Sequence, residues 1–463
     1  MSSSATPTAA LTVEWDPELI HRYDNAGPRY TSYPTALEFH EGFEDDDLEE
    51  AIEEGRGRPL SLYVHIPFCH TLCWYCGCNK MVTRQLDIVD DYLDTLEQEV
   101  ITRGAQFAGR EVVQLHFGGG TPSFLSLDQR RRVLAFLHKA FQFAPDAEIS
   151  IEVDPRRIEP TLIDELHEEG FNRLSIGVQD FNSEVQKAIH REQDDELIFG
   201  LRERARALGF RSFSIDLIYG LPLQTAERFA YTLERTLALA PDRISLFSYA
   251  HLPDHFPSQR LIHTEDMPKA EEKLELLQMA IARLTEGGFD FIGMDHFARP
   301  DDELAVAQRN GHLHRNFQGY TPRGDTDVLG LGVSAISSFH TAYAQNVKDV
   351  ATYQDTVNTL GHALWRGVML TPDDIMRRDI INTLMCQFRL DIPAIEQRYG
   401  IDFCRDMADD MALMAPLAAD GLVDVSRDAI TITPRGRLLV RTVAACFDVY
   451  LRRDKHQHYS KVI

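Results

Sequence analysis

The chain has 463 residues, with 72 acidic and 47 basic side chains and a formal net charge of −25. That length exceeds one average domain, and an apolar fraction of 44% is ordinary for a protein that buries a core. No apolar run reaches the roughly 18 residues of a membrane span, and so acidic a chain lacks the basic surface that nonspecific nucleic-acid binding needs.

In chain order, the N-terminus (Ser2, Ser3, Ser4, Ala5, Thr6, Pro7) has no basic region followed by an apolar core. Residues 1–20 therefore read as a disordered tail, not a signal peptide, and the protein as cytoplasmic. Residues 21–60 include AGPRYTSYPTALEF (26–39), whose prolines and aromatics do not suit a linker; this segment is expected to cover the active site. From Ser61 onward, short apolar runs alternate with helical patterns. SLYVHI (61–66) reads as a strand and VDDYLDTLEQEVITRG (89–104) as a helix. VVQLHF, ending at Phe117, is the next strand, followed by a helix near 127–139. EISIEV (148–153), LSIGV (174–178) and FSIDLIYG (213–220) are further strands with helical segments between them. ISLFSY (244–249) and FDFIGM (289–294) flank a charged helix around 268–287. Short runs rich in Ile, Val and Phe suit parallel strands covered on both faces. Strands alternating with helices imply βαβ units. Six to seven repeats fall short of the eight of a closed barrel, so an incomplete, open α/β barrel over 61–300 is expected. Residues 301–365 then complete or connect it. From about 366 the pattern is helical, with GLVDVSRDAITITPRG (421–436) as a small hairpin. Helices followed by a two-stranded wing suggest a winged-helix-like domain over 366–463. Such domains often bind DNA, but fold alone does not assign that role, and no nucleic-acid partner is expected.

Seven cysteines are present. Cys69, Cys73, Cys76 and Cys78 share the segment HIPFCHTLCWYCGCNK (65–80), directly after the first strand. Cys386, Cys404 and Cys446 are scattered and read as buried small hydrophobes. One tight cluster in an unsecreted chain points to metal, not disulfides. In a first βα loop the cluster lies where such folds keep their chemistry. Three thiolates spaced Cys-x3-Cys-x2-Cys can bind three irons of a cubane and leave the fourth open. Zinc, with His65 or His70 completing a set, is the alternative, although structural zinc usually takes two separated Cys pairs. FGGGTPS (117–123) follows the second strand, and its glycines allow close approach of a ligand. Glu152 and Asp154 close the third strand, Gln179 closes the fourth, and Asp216 lies in the fifth. Polar side chains at successive strand ends point to one shared site.

The cysteine motif after a first barrel strand resembles the radical S-adenosylmethionine (SAM) superfamily. The resemblance implies a (β/α)6-type radical SAM barrel, a [4Fe–4S] cluster on Cys69, Cys73 and Cys76, and SAM on its open iron. Electron transfer from the cluster then cleaves SAM to a 5′-deoxyadenosyl radical. GPRYTSYPTA (27–36), IGMDHFA (292–298), LHRNFQGY (313–320) and LGLGVSAISS (329–338) narrow the resemblance to the oxygen-independent coproporphyrinogen III oxidase family, from about Arg22 to the C-terminus. That family converts two propionates of coproporphyrinogen III to vinyls, giving protoporphyrinogen IX. The resemblance further implies two SAM molecules. Tyr63, Gly119, Glu152 and Ile336 match residues that bind one. Tyr75, Gly120, Thr121, Gln179, Arg191, Asp216 and Ala250 match those that bind the other. No catalytic residue is assigned; Cys78 and Arg29 are candidates. Arg29, Arg315 and Arg323 are candidates for holding propionates, because guanidinium groups match carboxylates. An electron donor and an acceptor are required but not identified, and the protein is expected to be a monomer. The alternative is a related haem chaperone, which has Phe in place of Cys78 and lacks the GPRYTSYP segment.

Overall fold

Strand β1 (Leu60–Ile66) starts a sheet whose next members each follow a crossover helix. Helix α1 (Leu86–Gln106) leads to β2 (Glu111–Gly119), and α2 (Leu127–Ala140) to β3 (Gln142–Val153). Helix α3 (Leu162–Glu168) leads to β4 (Arg173–Gln179), α4 (Asp195–Leu208) to β5 (Ser212–Tyr219), and α5 (Ala226–Leu239) to β6 (Arg243–Ser248). All neighbouring pairs from β1 to β6 are parallel. The computed structural model describes residues 12–24, 27–159 and 161–453.

The strands alternate. Leu62, Val64, Leu115, Phe117, Ile149, Ile151, Leu174, Ile176, Ile215, Leu217, Ile244 and Leu246 are buried. Between them Tyr63, His116, Ser150, Glu152, Ser175, Asp216 and Ser245 are half-buried. The sheet is therefore not apolar on both faces, as the strand composition suggested. One face forms the core and the other is a polar surface, because side chains on a strand point alternately to opposite faces. The helices stop where their caps dictate. Ser126 and Gln129 form a capping box on α2. Gly209, at φ 82°, ends α4 in the left-handed region that glycine tolerates.

On the other side of β1, strand β7 (Asp327–Leu331) pairs parallel to it. Antiparallel strands β8 (Ile336–Ser338), β9 (Ala342–Asn346) and β10 (Leu364–Met369) extend the sheet. Residues from the stretch expected to complete or connect the barrel thus join the sheet, and the parallel part is a partial barrel.

The chain divides into two units. The barrel unit comprises Glu38–Leu276 and Asp325–Met369. The second unit comprises the described residues up to Leu37, Leu277–Gly324, and those from Leu370. The barrel unit differs from the expected span of 61–300: it starts at Glu38, omits Leu277–Gly324 and takes in Asp325–Met369. FDFIGM contributes to a short antiparallel pair in the second unit, Asp290–Gly293 with His296–Ala298.

Residues 1–11 of the expected tail lie outside the described residues. Its end is ordered, contrary to expectation: Pro17–Tyr23 is a helix capped by Asp16, with Leu19 and Ile20 buried. The C-terminal part is mostly helical, with Pro372–Gln387, Ile392–Tyr399 and Ala408–Ala419. A three-stranded antiparallel wing accompanies them: Arg389–Asp391, Ala429–Ile432 and Val423–Val425. Cys386 and Cys446 are buried as expected, but Cys404 is exposed. Its neighbour Phe403 takes the core position instead.

Candidate functional site

The cysteine loop leaves β1 through Pro67 and is pinned at its base. Phe68–Cys69 pairs with Met81–Val82, and the Met81 N–H donates to Pro67 O at 2.7 Å. Farther along, Trp74 N–H donates to Ile189 O at 3.1 Å, and the Trp74 ring stacks on His190. Gln259 Nε2 donates to Tyr75 O at 3.0 Å, while Ser258 and Lys80 both donate to Cys76 O. Tyr75 itself packs against an apolar cluster of Val185, Ile189, Ile218, Leu221, Tyr249 and Ile262. A loop this clamped holds its thiols in defined places.

Cys69 Sγ lies 3.3 Å from Thr121 Oγ1, and burial pushes its thiol up to about 11. Cys73 Sγ accepts from Arg156 Nη2 at 3.1 Å and from Arg191 Nη1 at 3.3 Å. Cys76 Sγ accepts from the Cys78 N–H at 3.4 Å. The Cys78 thiol, and then Lys80 against the opposing burial, bring Cys76 down to about 6. Cys78 is exposed. The donor set fits an iron–sulfur cluster: three thiols on one loop, with guanidinium groups against one sulfur to offset thiolate charge. The zinc alternative loses its histidines. His65 Nδ1 faces Tyr63 Oη at 3.1 Å and its Nε2 faces Asn79 O at 3.0 Å, while the His70 ring lies against Phe124. Among the described residues, no three His, Cys, Asp or Glu side chains converge as they would around one ion. A cubane takes one thiolate per iron, so its ligands need not converge on a point.

The glycine run works differently from a simple opening for ligand. A Cβ on Gly118 would lie 2.9 Å from the Tyr63 ring and 3.0 Å from Glu152 Oε1. On Gly119, at φ +120°, it would lie 2.9 Å from the His65 ring, and on Gly120 2.6 Å from Pro67 O. The run is thus wedged between β1, the loop's first residues and Glu152.

Around it, further sequence-predicted residues lie on the polar face of the sheet. Tyr63 pairs in register with His116 and with Gly330, and a Cβ on Gly330 would lie 2.7 Å from Ile336 O. His116 Nε2 contacts Glu152 Oε1 at 3.2 Å, and the Glu152 side chain stays 42% exposed. Farther along, Arg191 bonds to Gly177 O and ion-pairs with Asp154 at 3.3 Å. Burial raises the Asp154 carboxyl, but Arg191 and Arg156 outweigh it and hold the group down at about 2. A Cβ on Gly177 would lie 2.9 Å from both Gln179 Nε2 and Arg191 Nη2, which places these side chains together. Gln179 has φ 67°, the left-handed region, which turns the end of β4. Asp216 pairs in register with Gly177 and Ser245. Burial first, then the charge of Glu152, push its carboxyl up to about 7. Ala250 is exposed just beyond β6.

Sequence reasoning missed Arg156 and His116. Arg156 stands two residues after Asp154, in the turn that Asp154 caps. His116 alternates with Leu115 and Phe117 on β2, and a strict period-two reading would have put it on the polar face. The three arginines considered for carboxylates all belong to the second unit. Arg29 ion-pairs with Asp295, Arg315 is buried, and Arg323 is half-buried.

Comparison with known proteins gives concordant matches. The sequence matches the radical SAM superfamily over residues 63–236 and the HemN C-terminal domain over residues 370–439. It is 58% identical over 452 residues to the oxygen-independent coproporphyrinogen III oxidase of Salmonella typhimurium, spanning 97% of this chain and 99% of that protein. It is 47% identical over 457 residues to the oxidase of the same name from Pseudomonas aeruginosa, spanning 98% and 99%. The structure superposes on that of coproporphyrinogen III oxidase (HemN) from Escherichia coli, described as a radical SAM enzyme. The TM-score is 0.92 at 57% identity, covering 95% of this chain and all of that one.

Proposed function

We infer the reaction from one premise: this chain belongs to the oxygen-independent coproporphyrinogen III oxidase family of the radical SAM superfamily. It is an oxidoreductase of anaerobic haem biosynthesis and works with a [4Fe–4S] cluster and SAM. It converts two propionate side chains of coproporphyrinogen III to vinyl groups by oxidative decarboxylation, giving protoporphyrinogen IX. The observation that carries this reading is the full-length identity to oxidases of that name.

When bound, the cluster and SAM supply the one-electron chemistry that removes a hydrogen from a propionate β-carbon. Cys69, Cys73 and Cys76 would hold the cluster as thiolates, with Arg156 and Arg191 offsetting charge at Cys73 and Thr121 contacting Cys69. Two SAM molecules serve one chain, a reading supported by the match of residues here to two groups of SAM-binding positions in the family. Tyr63, Gly119, Glu152 and Ile336 would serve one; the exposed part of the Glu152 carboxylate is available to a cationic group. Tyr75, Gly120, Thr121, Gln179, Arg191, Asp216 and Ala250 would serve the other. Cys78 and Arg29 stay candidates for roles toward substrate. A separate electron donor and acceptor complete the balance. The protein acts as a monomer in the cytoplasm; its seven free cysteines suit a reducing compartment. No helix among the described residues is long and apolar enough to cross a membrane.

The test is anaerobic incubation of the reduced, cluster-loaded protein with coproporphyrinogen III and SAM. Carbon dioxide and a two-vinyl product should form, with two SAM consumed per product. Deuterium placed on the propionate β-carbon should appear in 5′-deoxyadenosine. Tight haem binding with no vinyl product would overturn the reading in favour of the haem chaperone.

A further inference from the structure

The second unit contains a group of cations apart from the residues proposed for the cluster and SAM. Its centre is Asp295, in the turn between Asp290–Gly293 and His296–Ala298. The Asp295 carboxylate accepts from His296 Nδ1 at 2.6 Å and ion-pairs with Arg29. Arg441 donates to Pro28 O and Gly27 O, which fixes the segment carrying Arg29. Arg315, on the short strand His314–Asn316, places its guanidinium carbon 4.8 Å from the centre of the Tyr320 ring. The Tyr320 ring in turn meets the His296 ring edge-on, with centres 5.1 Å apart, which places Arg315 beside the Asp295–His296 turn. Arg29 and Arg315 thus flank the Asp295–His296 turn, with Arg441 behind the segment that carries Arg29.

Arg29 already has its counter-ion and is 39% exposed. Arg315 differs: it is only 7% exposed. Its Nε and Nη1 are buried and have no hydrogen-bond partner among the described residues. Burying a guanidinium with unmade hydrogen bonds is costly unless an anion completes it. In a chain of net charge −25, a local excess of buried positive charge is not a by-product of composition. An anion with oxygen acceptors supplies what is missing, and a carboxylate suits a guanidinium best.

We propose that Arg315 anchors a carboxylate-binding pocket in this unit and takes one propionate of the substrate, with Arg29 at the rim held in place by Asp295. The assignment rests on the substrate named above, and it singles out Arg315 among the three arginines that the sequence offered. Arg315 is a binding residue here; Asp295 and Arg441 are positioning residues.

The test compares the cluster-loaded wild-type protein with Arg315→Gln and Arg315→Lys, using iron content and SAM affinity as controls for folding. Loss of one charge-assisted contact should raise the KM for coproporphyrinogen III about tenfold to a hundredfold in Arg315→Gln. Binding of the oxidised porphyrin, coproporphyrin III, followed by fluorescence, should weaken by a similar factor. Arg315→Lys should recover part of the loss. Coproporphyrin III tetramethyl ester carries no carboxylate charge, so wild type and Arg315→Gln should bind it equally. If Arg315→Gln loses its iron, Arg315→Lys and the acid-to-ester comparison in the wild type carry the test. Equal affinity of wild type and Arg315→Gln for the acid would overturn the pocket while leaving the reaction intact. Equal losses for acid and ester would mark Arg315 as structural and overturn it too. A wild type that neither binds coproporphyrin III nor forms vinyl product removes the substrate reading, and the pocket with it.

Discussion

In the role proposed for Asp216, protonation of one side chain bears on SAM binding. Burial and the nearby Glu152 hold its carboxyl near 7, well above the unfolded value of about 3.9. SAM is a cation, so the ionised carboxylate attracts it more than the neutral acid does. SAM affinity, measured by equilibrium binding to the cluster-loaded protein, should therefore rise as pH increases through about 7, and Asp216→Asn should flatten that rise. The stability effect has the opposite sense. A carboxyl whose pKa is raised on folding favours the folded state when protonated, so its contribution is lost as pH climbs from about 4 to about 7. The glycine run separates two effects that the sequence merged. Gly118→Ala presses on Tyr63 and Glu152 and should weaken SAM binding with iron retained. Gly119→Val presses on His65, which bonds to Asn79 O across the cysteine loop; iron content and SAM binding should fall together. Iron analysis checks the ligand set as well. Ser at Cys69, Cys73 or Cys76 should abolish the cluster, since hydroxyl is a poor ligand for soft iron, whereas Cys78→Ser should keep it.

Helix α1 ties the end of β1 to the turn after β7. Tyr92 Oη donates to His65 O at 2.7 Å and accepts from Val333 N–H at 3.1 Å. Two turns further, the fully buried Glu99 accepts from Gly332 N–H at 2.8 Å, Asn346 Nδ2 at 2.7 Å and Tyr353 Oη at 2.7 Å. This network supports the strand that precedes the cysteine loop and the turn that leads to Ile336. Glu99→Ala would strand three buried donors, each costing about 1–3 kcal/mol. A loss of roughly 3 kcal/mol or more is expected, read as a lower thermal midpoint and faster amide exchange at Gly332 and Val333. Glu99 lies within a predicted helix and reads from sequence as one acidic residue among many. Its role depends on partners 233 to 254 positions away.

For the molecule as a whole, charge sets the terms of encounter. A net −25 repels a substrate bearing four propionates. Raising ionic strength from about 0.01 M to 0.15 M shortens the screening length from about 30 Å to about 8 Å. The kcat/KM for coproporphyrinogen III should rise over that range, because long-range repulsion is screened while a buried contact is screened less; an unchanged or falling value would contradict this account. The cluster loop, the βα alternation and the helical C-terminal part were legible in the chain alone, since each is written in local spacing: cysteines separated by three and then two residues, apolar runs between helical patterns, a hairpin after helices. Local pattern could not decide which face of each strand is polar, because short runs such as LSIGV satisfy both a core strand and an alternating one. Nor could it show that residues 327–369 extend the sheet beyond β1, that Arg156 and Arg191 converge on Cys73, or that Arg29 meets Asp295 while Arg315 is buried against Tyr320. Spacing along the chain determines what one segment can do; charge pairing and steric fit between distant segments exist only once the tertiary structure brings them within a few ångströms.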